Sequence, residues 1–273
     1  MLQLIPTKMD ICGVKYVFFM CTVTAISTFP SNLDTTTEWE VATTNPPPFH
    51  VTQMSMGLDE IPEGHPQTKS VNFAYNHLSS LENATFSSKS YKALHVIELY
   101  QNRINRVEVL AFKGLKSLKT VDLSENNITS LGAYTFEFNG RLEKLDLTGN
   151  QISFNRDMHF LVSHSLLTLV LSDNKLESIY EFSFVGVPKL RNLMLDYNAL
   201  NFIEAKSFKP LVNLQFLSLA HSGVHVLSLN MFDSAPRILD LTSTTLGNTF
   251  DPPLRKLKTT AVERLLAIDM YLN

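Results

Sequence analysis

The chain has 273 residues and 30.8 kDa, enough for one large domain or two small ones. Hydrophobic residues make up 44%, which supports a packed core and excludes wholesale disorder. The formal net charge of -3 lacks the basic excess of a phosphate-neutralising nucleic-acid binder, and only 10 glycines leave little room for phosphate-cradling loops.

Lys8 and Lys15 precede an apolar stretch, Tyr16 to Ile26, that ends in the small-x-small pattern Ala25-Ile26-Ser27. A positive start, an apolar middle and a small-residue end predict a secretory signal peptide over residues 1–27 and an extracellular destination. The apolar middle is about a dozen residues, short of the ~20 needed to cross a bilayer as a helix. No later segment is apolar for longer, so no membrane span is expected in this chain. Cys12 and Cys21 both fall inside the signal, so the mature chain is expected to carry no cysteine and no disulfide. Residues 28–55 read as a flexible linker, rich in Thr and Pro (Thr35-Thr-Thr37, Pro46-Pro-Pro48), with a lone Trp39 between two glutamates. Asn83-Ala-Thr85 and Asn127-Ile-Thr129 are glycosylation sequons in this secretory setting.

From residue 56 the sequence repeats. Val71-Asn-Phe73-x-x-Asn76 is followed by Ile97-Glu-Leu99-x-x-Asn102, Val121-Asp-Leu123-x-x-Asn126, Leu145-Asp-Leu147-x-x-Asn150, Leu169-Val-Leu171-x-x-Asn174 and Leu193-Met-Leu195-x-x-Asn198. Leu217-Ser-Leu219-x-x-Ser222 and Leu239-Asp-Leu241-x-x-Thr244 continue the series, at spacings of 26, 24, 24, 24, 24, 24 and 22. A second marker, Phe86, Phe112, Phe136, Phe160, Phe184, Phe208 and Phe232, then Leu254, keeps the same beat. A period of this length predicts a solenoid. Alternation of apolar residues makes each Leu-x-Leu a short strand with one buried face, and identical turns stack those strands in parallel. The asparagine column, Asn76, Asn102, Asn126, Asn150, Asn174 and Asn198, sits where the chain leaves the sheet. There its amide can satisfy peptide groups of its own and adjacent turns. Ser222 and Thr244 offer one hydroxyl each, so that end is expected to be looser. The phenylalanines are expected to stack as a spine under the convex side.

About eight turns plus a partial ninth are predicted over 56–273. Leu265-x-x-Ile268-Asp-Met270-Tyr-Leu-Asn273 reads as the strand half of the ninth. A terminal turn without a cap exposes apolar core and a sheet edge. Either a homodimer buries that end, or the chain is a fragment of a longer protein.

These motifs resemble the extracellular typical class of leucine-rich repeats, which includes Toll-like receptor ectodomains, small leucine-rich proteoglycans and secreted or adhesive insect proteins. The resemblance implies an α/β solenoid: a horseshoe with parallel strands on the concave face and short loops or 3-10 turns on the convex face. It also implies recognition of protein, glycan or lipid ligands rather than catalysis. Leu58-Asp-Glu-Ile61-Pro62 is similar to the tail of the family's N-terminal capping module, without that module's cysteines.

Residues between the buried leucines are expected to face outward on the concave side. Glu98, Asp122 and Asp146 stack there on adjacent strands ~5 Å apart, where a cationic partner would relieve their repulsion. Val170, Met194, Phe216 and Ile238 form an apolar diagonal beyond them. Together they predict a protein ligand of cationic or amphipathic character. The bland alternatives are that aspartate is common at that position of the repeat, and that the odd C-terminus covers the diagonal. Asn155 interrupts a column otherwise filled by Leu81, Val107, Leu131, Ile179, Ile203 and Leu227, so the segment 155–164 is expected to bulge. His221 and His225, and His159 and His164, lack a third ligand, so no metal site is expected. No catalytic residue, cofactor or nucleic-acid partner is predicted, since a shallow solvated sheet offers no enclosed pocket to tune a carboxylate. The leading reading is a non-enzymatic recognition module in immunity or adhesion. The alternatives are the truncated ectodomain of a membrane receptor and a structural matrix protein.

Overall fold

The computed structural model describes residues 7–11, 14–18, 49–225, 227, 231–244 and 264–266. The expected signal cleavage site, Trp39 and the linker up to residue 48 lie outside them. The chain divides into two compact units, Met1–Thr43 and Thr44–Asn273. In the first, β1 (Thr7–Ile11) and β2 (Val14–Phe18) pair as an antiparallel hairpin with Asp10 opposite Lys15.

The second unit is built on the repeat. Its strands are β3 (His50–Thr52), β4 (Ser70–Asn72), β6 (Val96–Glu98), β8 (Thr120–Asp122), β9 (Lys144–Asp146) and β10 (Thr168–Val170). β12 (Asn192–Met194), β14 (Phe216–Ser218), β15 (Ile238–Asp240) and β16 (Arg264–Leu266) complete a 10-stranded sheet in which every neighbouring pair is parallel. The register follows the repeat beat: Val71 lies opposite Ile97, Val121 opposite Leu145, and Leu193 opposite Leu217. From β4 to β15 the central residue of each three-residue strand is buried, and its flanking residues are half-buried or exposed in every strand except β14. Period-two alternation therefore sorts the side chains as the sequence implies. One continuous core runs through the turns, from Ile61 to Leu241.

The ladder starts earlier than residue 56. His50–Thr52 falls within the predicted linker, yet it pairs with β4, Val51 opposite Val71. Its backbone satisfies the edge that the first full repeat would otherwise expose. The ninth strand is also displaced. The repeat pattern places it on Ile268-Asp-Met270, but Leu265 lies opposite Leu239 instead. Apolar residues three apart, Leu265 and Ile268, made the pattern alone degenerate between these registers.

On the far side of most turns the backbone folds into successive tight turns closed by N–H(i+3) to C=O(i) bonds, such as Glu137 to Tyr134 and Lys209 to Lys206, whereas the backbone-to-backbone bonds of residues 154–163 run only to adjoining turns. The single described helix is α1 (Thr85–Ser88). The phenylalanine spine departs from expectation. Phe86, Phe112 and Phe136 stack in sequence with centroids 5.8 and 4.7 Å apart, and Phe184, Phe208 and Phe232 do so at 5.9 and 5.0 Å. Between the two stacks, Phe160 joins neither. Phe154 inserts there instead, tilted against Phe160 at 4.9 Å and edge-on to Phe184 at 5.6 Å. Asn155 is exposed in the column where other turns bury an aliphatic side chain, and the neighbouring phenylalanine packs against the core near the vacated space. Volume lost from a core column is recovered from the nearest large apolar residue.

Short ladders run down one flank: β5 (Ser80–Leu81) with β7 (Arg106–Val107), and β11 (Ser178–Ile179) with β13 (Phe202–Ile203). They are interrupted over the two turns between them.

Candidate recognition surface

Every asparagine of the column is buried and hydrogen-bonded on both amide atoms. The Asn150 Nδ2 donates to the carbonyls of Leu147 (3.0 Å) and Thr148 (3.3 Å) in its own turn and of Leu123 (2.9 Å) in the turn before. Its Oδ1 accepts from the Ile128 N–H at 3.0 Å. Asn102, Asn126, Asn174 and Asn198 repeat the pattern, and Asn76 makes the same cross-turn bonds to the segment after β3, bonding Gln53, Met56 and Leu58. This column, buried from solvent, binds turns together. Ser222 and Thr244 each donate one bond, to Leu219 and Leu241 of their own turns, and do not reach the turn before.

The residue preceding each of these positions takes a left-handed backbone: Tyr75, Gln101, Glu125, Gly149, Asp173, Tyr197, His221 and Ser243 all have φ between 51 and 67°. The N–H of each from Tyr75 to His221 donates to a carbonyl of the following turn at 2.7–3.1 Å, which holds the unusual conformation in place. Only Gly149 signals it in the sequence; a Cβ there would stand 2.6 Å from the Glu125 carboxylate.

The outward positions of the sheet carry the predicted site residues. Glu98 lies opposite Asp122, and Asp122 opposite Asp146, on three consecutive strands. Each acid has a local partner. Asp122 Oδ1 accepts from the Ser124 N–H (2.9 Å) and hydroxyl (2.6 Å); Asp146 Oδ1 accepts likewise from Thr148. Asp240 does the same with Thr242. Glu98 accepts from the Asn72 amide, and Lys144 Nζ stands 3.4 Å from Asp146 Oδ2. The Asp122, Asp146 and Asp240 carboxylates therefore cap the exits of their own strands through one oxygen, whereas Glu98 reaches across to the neighbouring strand. The second oxygen of Asp122 has no partner among the described residues. The recurring Asp-Leu-Ser/Thr spacing was the readable trace of this role.

The apolar diagonal is present on the same face. Val170 lies directly opposite Met194, Phe216 directly opposite Ile238, and Asn192 stands between the two pairs opposite Phe216. All four apolar residues are half-buried, with part of each surface in solvent. Asp196, two residues after Met194, is a residue that sequence reasoning did not single out. It accepts from the hydroxyls of Ser172 and Ser218, tying three turns together beside the diagonal. At the corner beside it, the exposed ring of Tyr197 stacks on His221 at 4.5 Å.

The sequons are exposed at Asn83 and Asn127. Asn83 Oδ1 accepts from the Leu110 N–H. No described group of three or more His, Cys, Asp or Glu could hold a metal ion, and no described helix is long and apolar enough to cross a membrane. Tyr91 is fully buried with its hydroxyl unpartnered, beneath Gly64, whose added Cβ would fall 2.2 Å from the ring. Burial first and the Glu63 charge second push the Tyr91 hydroxyl up to about 12.

Comparison with known proteins places this geometry. The leucine rich repeat family model matches residues 92–152 and 164–224. Among solved structures, TLR13 in its complex with ssRNA13 is 26% identical, with a TM-score of 0.70 over 80% of this chain and 32% of that one. Drosophila Toll in its glycosylated complex with Spatzle is 16% identical, with a TM-score of 0.56 over 72% of this chain and 35% of that one, a likeness of fold alone. The chain thus spans about a third of the length of the structures it matches. No curated protein sequence matches it.

Proposed function

The chain is a leucine-rich repeat protein that resembles Toll-like receptor ectodomains, and from that premise we propose that it is a non-enzymatic, extracellular protein-recognition module in innate immunity or adhesion. The observation that carries the reading is the half-buried diagonal Val170, Met194, Phe216 and Ile238 on the open sheet face, beside the row Glu98, Asp122 and Asp146. Apolar residues left partly wet on a rigid sheet suit anchoring, and the acidic row selects a cationic or amphipathic protein. The same row repels phosphate, so a protein fits this face better than a nucleic acid. In this reading residues 1–27 direct secretion and Asn83 and Asn127 carry glycans. N-terminal sequencing of the secreted chain and its mass before and after glycosidase treatment check both.

Because Asp122 and Asp146 also cap their strands, the test uses asparagine, which keeps the accepting oxygen and removes the charge. A photo-crosslinking residue at position 194 captures the partner, whose affinity is then measured. Phe216→Ala is expected to weaken binding about tenfold or more, and the Asp122→Asn, Asp146→Asn pair to slow association and flatten its salt dependence. Unchanged binding in both would reject this face.

A further inference from the structure

The interrupted flank holds a site of its own. Between β7 and β11, Ser130–Leu131 and Phe154–Asn155 occupy the positions where the other turns pair, yet their backbone N–H and C=O groups make no hydrogen bond to an adjoining turn among the described residues. The last rung before the break, Ser153 N–H to Thr129 C=O, is stretched to 3.4 Å. Asn155 turns the chain outward, its Oδ1 accepting from the Asp157 N–H. The break opens a cavity of about 270 Å³ whose apolar walls are Leu131, Phe154, Met158 and Phe160, with His159 at one side. Met158 is 57% exposed, and His159 meets the exposed Phe182 ring edge-on at 6.3 Å. A second, more polar hollow shares Ser153 and Phe154 and continues toward Lys175, Glu177 and Tyr180.

We infer that this break binds an extended peptide segment of a partner protein, seating one bulky apolar side chain between Leu131, Phe154 and Met158 while its backbone pairs with the free peptide groups of 130–131 and 154–155. The volume selects the occupant. It lies just below the ~300–1,000 Å³ of drug-sized ligand sites and suits a single large side chain. The unpaired backbone groups at the rim are costly beside an apolar lipid tail and are matched by another extended backbone, the strand-addition mode of peptide recognition. None of the lining residues belongs to the sheet face, so this site stands or falls independently of the reading above.

The test is an NMR titration of the full chain, labelled at amides and methionine methyls, with the capped peptide acetyl-Thr-Phe-Thr-amide. Saturable shifts are expected at the Leu131 and Asn155 amides and the Met158 methyl, with the Met194 methyl unmoved. Acetyl-Thr-Ala-Thr-amide is expected to bind about tenfold more weakly, and the backbone N-methylated phenylalanine peptide about fivefold more weakly, one net hydrogen bond's worth. Met158→Asp, at an exposed position that leaves folding intact, should weaken the parent peptide about fivefold, whereas Phe216→Ala should change nothing. Equal binding of the alanine peptide overturns the anchor. Equal binding of the N-methylated peptide overturns the backbone pairing. Absence of saturable shifts at Leu131 and Asn155 overturns the site.

Discussion

Asn150 and Ser222 occupy the same place in their turns and differ by three hydrogen bonds. Asn150 makes four, two of them to the preceding turn, whereas Ser222 makes one, within its own. Asn150→Ala leaves the buried N–H of Ile128 without its acceptor and removes one of two amide donors from each of the Leu123 and Leu147 carbonyls, which Asn126 and Asn174 still reach, and is expected to cost about 2–3 kcal/mol; Ser222→Ala is expected to cost about 1 kcal/mol. Urea denaturation of the two variants reads the difference, and equal losses would contradict the ladder geometry. Tyr91 gives the opposite kind of prediction. Its hydroxyl is buried with no partner, so Tyr91→Phe should be neutral or stabilising. The folded state holds that proton to about 12 against an ordinary value of 10.0. The unfolded chain therefore loses the proton first as pH rises, and the Tyr91 contribution is complete below pH ~10 and declines between there and about 12. In Tyr91→Phe the alkaline limb of a stability-versus-pH curve should be shallower.

At the scale of the element, the turn carrying Asn155 is informative because it fails to follow its neighbours and stays packed. Phe154 stands in for the missing aliphatic side chain and interrupts the ring stack. Phe154→Ala is expected to cost about 2–4 kcal/mol. Asn155→Leu should cost little in isolation yet recover about half of that loss in the double variant, a coupling that a double-mutant cycle in urea measures. Strict additivity would show that the two residues do not compete for one space. The position of the irregularity was legible, since a polar residue in an aliphatic column has no other reading. Its consequence was not: that Phe154 would leave the outward row, and that the flank ladder would open over two turns, depends on distances between turns that no spacing encodes.

Across the whole solenoid, each turn contacts only its neighbours, so stability is distributed along the array rather than pooled. The turns bounded by Asn102 to Asn198 have cross-turn bonds on both sides, whereas Ser222 and Thr244 bond only within their own turns. Amide hydrogen exchange should therefore show the slowest amides in strands β8 to β12 and progressively faster exchange through β14 and β15. Uniform protection along the array would refute this gradient. The repeat period, the parallel stacking and the inward face of every strand from β4 to β15 could be read from the sequence, because each follows from local alternation repeated on a constant beat. The acidic row and the apolar diagonal could be placed on one face for the same reason. Tertiary structure alone decided the left-handed corners, which non-glycine residues adopt only because the next turn supplies their acceptors, and the capping bonds that occupy one oxygen of Asp122, Asp146 and Asp240. It also decided the registers at both ends, where the sequence offers several apolar residues to one place in the sheet and only the neighbouring strand chooses among them.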